Sequence, residues 1–285
     1  MPSLASLRTR LARTRDAGST VHERGRFVAR ELLGRSQAAV YQLRDSPWRA
    51  AIRHPLFDMW VLDEIFRNGA YAIPASVQAR LKELGRPPRV LDLGGHIGLF
   101  GLWFRQTFPD AHITSWEPDP ENVNVLRQNV RINRLEERWS VVEAAAATSE
   151  GSATFMSDGP LSQFAGAPDA LRDEHEMLGQ IFPFLRGKRL LTPREVTVQT
   201  RDIFPEMGEC DFLKVDIQGA EWPLLDDTRF EALSAVALVI EVHPRSCPHS
   251  DARAYATERL TNLGFTIHQI ADAGGGEIIL WAVRR

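Results

Sequence analysis

From Arg89 onward, short apolar runs alternate with segments of helical spacing, and this alternation constrains the fold more than any other feature. Residues 90–93 and 113–117 predict two strands, each ending near an acid. Between them Ile97, Phe100, Phe104 and Phe108 recur at near-helical spacing. Asp119 and Pro120 open a helix whose Val123, Leu126 and Val130 share a face. Residues 139–146, 212–216 and 237–243 predict a third, fourth and fifth strand. Ser250 or Asp251 caps a helix that Gly264 stops. Such alternation implies a mostly parallel sheet covered by helices on both faces. The last two strands, 265–270 and 277–283, are joined only by the glycines at 274–276, with no room for a crossover helix. They must run antiparallel. The expected class is therefore α/β: a Rossmann-like, mostly parallel sheet with a reversed terminal strand.

Residues 147–200 interrupt the alternation. Short added strands are expected at 153–155 and 196–198. The irregular segment between them (about 157–194) carries Phe164, Leu178, Ile181, Phe182, Phe184 and Leu185. It is either a substrate lid or a packing or dimer element. Residues 1–84 read as a helical N-terminal extension ahead of a domain spanning 85–285. Trp48, Leu56, Phe57, Trp60, Val61, Ile65 and Phe66 predict packed helices within 45–74, and a short helix follows at 75–85. The first 53 residues hold 11 arginines against 4 acids, which leaves the remainder about −10 for a net charge of −3. Leu4, Leu7 and Leu11 stand at helical spacing in that arginine-rich arm. It reads as a solvated helix, with weak contact to an anionic membrane surface or a transit role as the alternatives. The remainder of the chain is acidic, so nucleic acid is a disfavoured partner. Only Cys210 and Cys247 are present, which excludes a disulfide framework and points to a reducing, cytoplasmic compartment. The longest apolar stretch, 232–240, falls short of the ~20 residues a membrane span needs.

The chemistry concentrates where strand 90–93 runs into Gly94, Gly95, His96, Ile97 and Gly98. Glycines there permit a tight turn and close approach of a ligand to the backbone. The spacing is not Gly-x-Gly-x-x-Gly, and Asp92 beside the loop is a poor neighbour for a pyrophosphate but a good one for an ammonium group. Glu117, 19 residues after Gly98, suits the two hydroxyls of a ribose. A ribose and an amine without a pyrophosphate describe S-adenosylmethionine. An NAD-linked oxidoreductase is correspondingly disfavoured.

At these residues the chain resembles the FkbM group of class I S-adenosylmethionine-dependent methyltransferases. The resemblance rests on residues 91–98, on Trp116-Glu117-Pro118, on 213–221 (Leu-Lys-Val-Asp-Ile-Gln-Gly-Ala-Glu) and on 238–244 (Leu-Val-Ile-Glu-Val-His-Pro). It covers about residues 85–285. Gln218 stands where the group usually has Glu. The resemblance implies that Gly94, Gly95 and Gly98 shape the loop around the methionine part of the cofactor. Asp92 would face the amine side, and His96 would be a cofactor contact or the helix start. Glu117 would hold the ribose, and Glu143 or Ala144 would lie near the adenine. Asp216 would border the sulfonium and the substrate.

Transfer to a hydroxyl also requires a proton acceptor. His243 and Asp216, at the ends of neighbouring strands, are the two candidates. Glu221 either caps its helix or binds substrate. His243, Cys247 and His249 match no standard zinc spacing, nor does the patch 173–176, so no metal site is expected. The expected activity is O-methylation of a hydroxyl on a small molecule, a sugar, glycan or natural product. The alternatives are a nitrogen, protein or RNA acceptor, or a cofactor-binding scaffold without turnover.

Overall fold

The structure is a computed structural model that describes residues 4–33, 37–54, 57–157, 163–164, 194–274 and 277–284. The stretches 158–162 and 165–193, where the lid or packing element is expected, lie outside the described residues, as does the patch 173–176.

The N-terminal region contains α1 (Leu4–Ala17), α2 (Arg24–Leu33), β1 (Ala39–Gln42), β2 (Arg49–Ile52), α3 (Phe57–Leu62, continued by a π turn over Asp63–Arg67) and α4 (Ala75–Lys82). It is not purely helical as expected. β1 and β2 form an antiparallel hairpin with Ala39 opposite Ile52 and Gln42 opposite Arg49. Ala50, Ala51 and Ile52 are buried without regard to a strand's two faces, so their local pattern carries no period of two.

From β3 (Arg89–Leu93) the order is α5 (Leu99–Thr107), β4 (His112–Trp116), α6 (Pro120–Ile132), β5 (Trp139–Val142), β6 (Ala145–Ala147), β7 (Gly151–Ser157), β8 (Gln163–Phe164) and β9 (Arg194–Asp202). Then come α7 (Phe204–Met207), β10 (Phe212–Val215), α8 (Glu221–Asp226), β11 (Ala237–Val242), α9 (Ala252–Asn262), β12 (Phe265–Gly274) and β13 (Glu277–Arg284). Among the described residues, seven strands make one sheet in the order β12-β13-β11-β10-β3-β4-β5. β11, β10, β3, β4 and β5 are parallel. β13 runs antiparallel to both its neighbours, to β12 as the short connection requires and to β11 as well. The caps are those the sequence indicates. The Asp119 carboxylate accepts from the Glu121 amide (2.8 Å) at the start of α6, and Asp251 accepts from Ala254 (2.9 Å) at α9.

The segment 139–146 is not one strand. The chain leaves the main sheet after Val142, and β6 joins a second sheet ordered β6-β9-β7-β8. The alanines at 144–147 offer no alternation that would mark this change of sheet. β7 and β9 pair antiparallel over seven residues, Gly151 with Thr200 through Ser157 with Arg194, so the added strands are longer than expected.

Alternate residues of each central strand enter different cores. Val90, Phe212, Val239 and Trp281 pack with α5, α6 and the N-terminal region, including Ala17, Phe27 and Tyr41. Leu91, Leu213, Leu238, Ile240 and Leu280 pack on the other face with α7, α8 and α9. The extension thus shares one core with the sheet. Among the described residues no helix is long and apolar enough to cross a membrane.

Candidate active site

Parallel strands all point their carboxyl ends to one edge, and the candidate residues collect there. β3 ends at Leu93, and the chain turns at Gly94 with φ +79°. The amides of Gly94 and Gly95 both donate to the Trp116 carbonyl at 2.9 Å. A Cβ on Gly94 would lie 1.7 Å from the Asp216 carbonyl oxygen, and one on Gly95 would lie 2.9 Å from Ser115 Cβ. At Gly94 backbone meets the backbone of the neighbouring strand, and at Gly95 it meets the side chains of Ser115 and Leu126, so neither leaves room for a Cβ. Gly98, at φ +87°, caps α5.

Glu117 lies across this loop, buried at the end of β4. Its Oε2 accepts from the His96 amide (2.8 Å), and its Oε1 accepts from the Asp119 amide (2.9 Å) and from Asn122 Nδ2 (3.2 Å). A carboxylate offers about four acceptor positions, so capacity remains for a ligand hydroxyl. Burial pushes the Glu117 pKa up to about 7. His96 adopts φ +46°. Burial pushes its ring down to about 4, so it is neutral, and its Nδ1 has no hydrogen-bond partner.

Asp92 is fully buried beneath the loop. Its Oδ2 accepts from Ser115 Oγ at 2.6 Å, and Ser115 in turn accepts from the Trp139 indole at 2.9 Å. Oδ1 makes no hydrogen bond, although Lys214 Nζ stands 3.5 Å away. Glu143 and Ala144 follow the end of β5. Glu143 faces the surface in an ion pair with Arg127 (2.8 Å), while Ala144 is buried.

The neighbouring strand ends carry a second group. Asp216 follows β10, with its amide on the Leu93 carbonyl at 3.1 Å. Its Oδ1 accepts from Gln218 Nε2 (3.2 Å), and its Oδ2 lies 3.2 Å from Tyr71 Oη and 3.4 Å from Lys214 Nζ. Burial opposes its ionisation, but Lys214 and then His243 outweigh that and hold it low. Tyr71 Oη is also 2.6 Å from Glu241 Oε2. Burial, reinforced by Asp216, drives Glu241 well above the carboxylate range. His243 sits just past β11. Glu221 Oε1 accepts from its amide (2.8 Å) and lies 3.1 Å from Nδ1, leaving Nε2 without a partner. Burial disfavours its charge, yet Glu221, Glu241 and Asp216 push it up to about 10. Glu64, raised to about 7 by burial and by Asp216 and Glu277, belongs to the same acidic cluster.

The structure therefore brings together Asp92, Gly94, Gly95, His96, Gly98 and Glu117 on one side, and Asp216 with His243 on the other. Glu221 both caps its turn, through Gly219 N (2.8 Å), and orients His243. His249 turns away to Asp226 (3.1 Å) and stacks on Tyr255, so His243, Cys247 and His249 do not converge. Sequence reasoning passed over Lys214, Glu241, Tyr71, Arg53 and Asp58. Lys214 and Glu241 had a signal, since each is a buried charge inside an otherwise apolar strand. Tyr71 and Arg53 had none, because they reach the site from the extension. Arg53 pairs with buried Asp58 (2.8 Å) and donates to Asn122 (2.7 Å), and both Arg53 and Asp58 lie 3.5 Å from His96 Nε2.

A sheet in this order, with a glycine loop after β3 and an acid just past β4, fits a class I S-adenosylmethionine-dependent methyltransferase, and the family match places the chain in that class. The chain belongs to the FkbM methyltransferase family, whose domain model matches residues 92–267. Methyltransferase sdnD of Sordaria araneosa is 26% identical over 203 residues, covering 63% of this chain and 73% of that protein. Methyltransferase 1 of Beauveria bassiana (strain ARSEF 2860) is 25% identical over 192 residues, covering 62% and 72%. The crystal structure of methyltransferase FkbM from Methylobacillus flagellatus KT aligns with a TM-score of 0.46 at 14% identity over 79% of this chain. This chain covers 54% of that one.

Proposed function

We propose that this enzyme methylates a hydroxyl of a sugar, glycan or natural product. The cofactor side supports the first half of that reading. The glycine turn leaves bare backbone where the methionine part would lie, and Glu117 offers the ribose hydroxyls a buried acceptor. Asp92, with Oδ1 unpartnered, would meet the amine through water, and Ala144 would line the adenine. When bound, S-adenosylmethionine supplies a methyl group on a positively charged sulfur, open to in-line displacement.

The observation that carries the acceptor assignment is the position of Asp216. It stands directly across the turn from Gly94, and its side chain is 23% exposed, against 8% for His243. A hydroxyl entering there meets the Asp216 carboxylate first. Asp216 orients it and takes its proton, while the charge on His243, tied to Glu221, helps hold Asp216 ionised. The surrounding carboxyl groups hydrogen-bond further hydroxyls, and their number around Lys214 and His243 makes a poor seat for phosphate, which disfavours RNA. The same acids would attract a cationic amine, so amines form the second arm of the test.

The test incubates the full chain with S-adenosylmethionine and panels of glycosides, hydroxylated natural products, amines and RNA. Mass spectrometry follows S-adenosylhomocysteine and the methylated product. Oxygen-methylated product that falls at least a hundredfold in Asp216→Asn supports the reading. Product on nitrogen or RNA alone, or binding of S-adenosylhomocysteine without turnover on any panel, overturns it.

A further inference from the structure

The acceptor side gathers more carboxyl groups than cations. Glu64, Asp216, Glu241 and Glu277 surround Lys214 and His243, and all but Glu277 and Glu64 sit at the ends of β10 and β11. Three of these residues offer ligand atoms to a common point. Asp216, Glu241 and His243 each present one donor atom, and all three atoms lie within 4.8 Å of one another. A second observation points the same way. His243 is about nine-tenths buried, Glu221 occupies its Nδ1, and its Nε2 has no hydrogen-bond partner. A buried ring nitrogen left open beside two carboxylates calls for a partner.

We propose that Asp216, Glu241 and His243 Nε2 bind a divalent metal ion. The ion displaces to solvent the protons that Glu241 and His243 otherwise hold. Two ligands at ~2.1 Å from one ion stand at most about 4.2 Å apart. In a tetrahedral site such ligands stand about 3.4 Å apart, so closing 4.8 Å to that span needs side-chain shifts of roughly 1.4 Å, shared among three side chains. Tyr71 Oη lies between the two carboxylates and would yield to the ion or join it. One imidazole and two carboxylates suit Mn²⁺ or Zn²⁺ better than Mg²⁺, which prefers an all-oxygen octahedron. Glu221 on Nδ1 fixes the ring as such sites require. Three protein ligands leave open positions. Resting on the O-methylation reading, the ion would hold the acceptor hydroxyl and ease loss of its proton to the Asp216 oxygen not bound to the ion or to water.

The experiment titrates chelator-treated full-length protein with MnCl₂, ZnCl₂ and MgCl₂ by calorimetry, with electron paramagnetic resonance for Mn²⁺. S-adenosylhomocysteine binding is measured on the same samples. We expect one saturable site for Mn²⁺ or Zn²⁺, weakened at least tenfold in both Glu241→Gln and His243→Gln and unchanged in His249→Gln. Those variants should still bind S-adenosylhomocysteine, which shows them folded. No saturable metal binding by protein that binds S-adenosylhomocysteine overturns the site. So does binding that survives both substitutions, or binding lost with His249→Gln. Metal binding without methyl transfer to any hydroxyl upholds the site and sinks the O-methylation reading instead.

Discussion

Gly94→Ala is the substitution whose cost the structure specifies most closely, and Gly85→Ala is its control. Both positions have positive φ, +79° and +65°. A non-glycine residue there costs roughly 1–2 kcal/mol, partly offset by about 0.4–1 kcal/mol from the stiffer unfolded chain. Nothing lies within 4 Å of a Cβ on Gly85, so that variant bears this backbone term alone. At Gly94 the new Cβ would stand 1.7 Å from the Asp216 carbonyl oxygen, where real contacts do not fall under 3.0 Å. The turn must therefore move by at least 1.3 Å. That movement strains the Gly94 amide bond to Trp116 (2.9 Å) and the Lys214 bond to the Gly94 carbonyl (2.6 Å). At about 1 kcal/mol for the neutral bond and ~1.5–3 for the charged one, Gly94→Ala should cost ~2–4 kcal/mol more than Gly85→Ala. Urea unfolding of both variants measures the difference, and calorimetry with S-adenosylhomocysteine measures the site. Gly85→Ala should keep wild-type affinity, and Gly94→Ala should lose at least tenfold. Equal stabilities within ~0.5 kcal/mol, with equal affinities, would refute the close approach of the turn to Asp216.

Two further substitutions address the cofactor side. Burial raises Glu117 to about 7, so its contribution to stability is complete below the unfolded value near 4.5 and disappears as pH rises through about 7. Ligand-free Glu117→Gln should therefore gain in Tm relative to wild type between about pH 5 and about pH 8, while binding S-adenosylhomocysteine at least tenfold more weakly; parallel pH profiles would contradict this. Arg53→Met strips the cation from fully buried Asp58 and should cost about 3–5 kcal/mol in urea unfolding, with Asp58→Asn added to the same chain restoring part of it. It should also weaken cofactor binding through His96 and Asn122, and unchanged affinity would show that the extension does not steady the loop.

The central strands were legible because they obey simple rules. Runs such as Val90 to Leu93 are apolar throughout, as strands of a parallel sheet covered on both sides must be, and a short glycine turn leaves its flanking strands no choice but reversal. Glu117 was legible because a fixed number of residues separates the ends of two adjacent strands. What failed has physical reasons too. Arg49 to Ile52 pair with Ala39 to Gln42, but their burial comes from α6 and the sheet's core, so no alternation survives in the local sequence. The alanines after Val142 look alike whichever sheet receives them. Lys214 and Glu241 were visible as charges in apolar strands, but only the folded sheet shows that they face each other's neighbours. Tyr71 is 145 residues from Asp216, a separation no local pattern can encode.

Asn129, buried on α6, joins regions that the chain order keeps apart. Its Oδ1 accepts from the Ala51 amide (2.6 Å), and its Nδ2 donates to the Ile97 carbonyl (2.7 Å) inside the glycine loop. One carboxamide thus links the N-terminal hairpin to the cofactor's cradle. Opening either one breaks a hydrogen bond of about 1 kcal/mol to the side chain that also holds the other, so their native-state fluctuations are expected to be coupled by about that much. Ligand release and transient loosening of the hairpin then share an opening event, and the exchange rate of the Ala51 amide becomes a gauge of occupancy at a site it never touches.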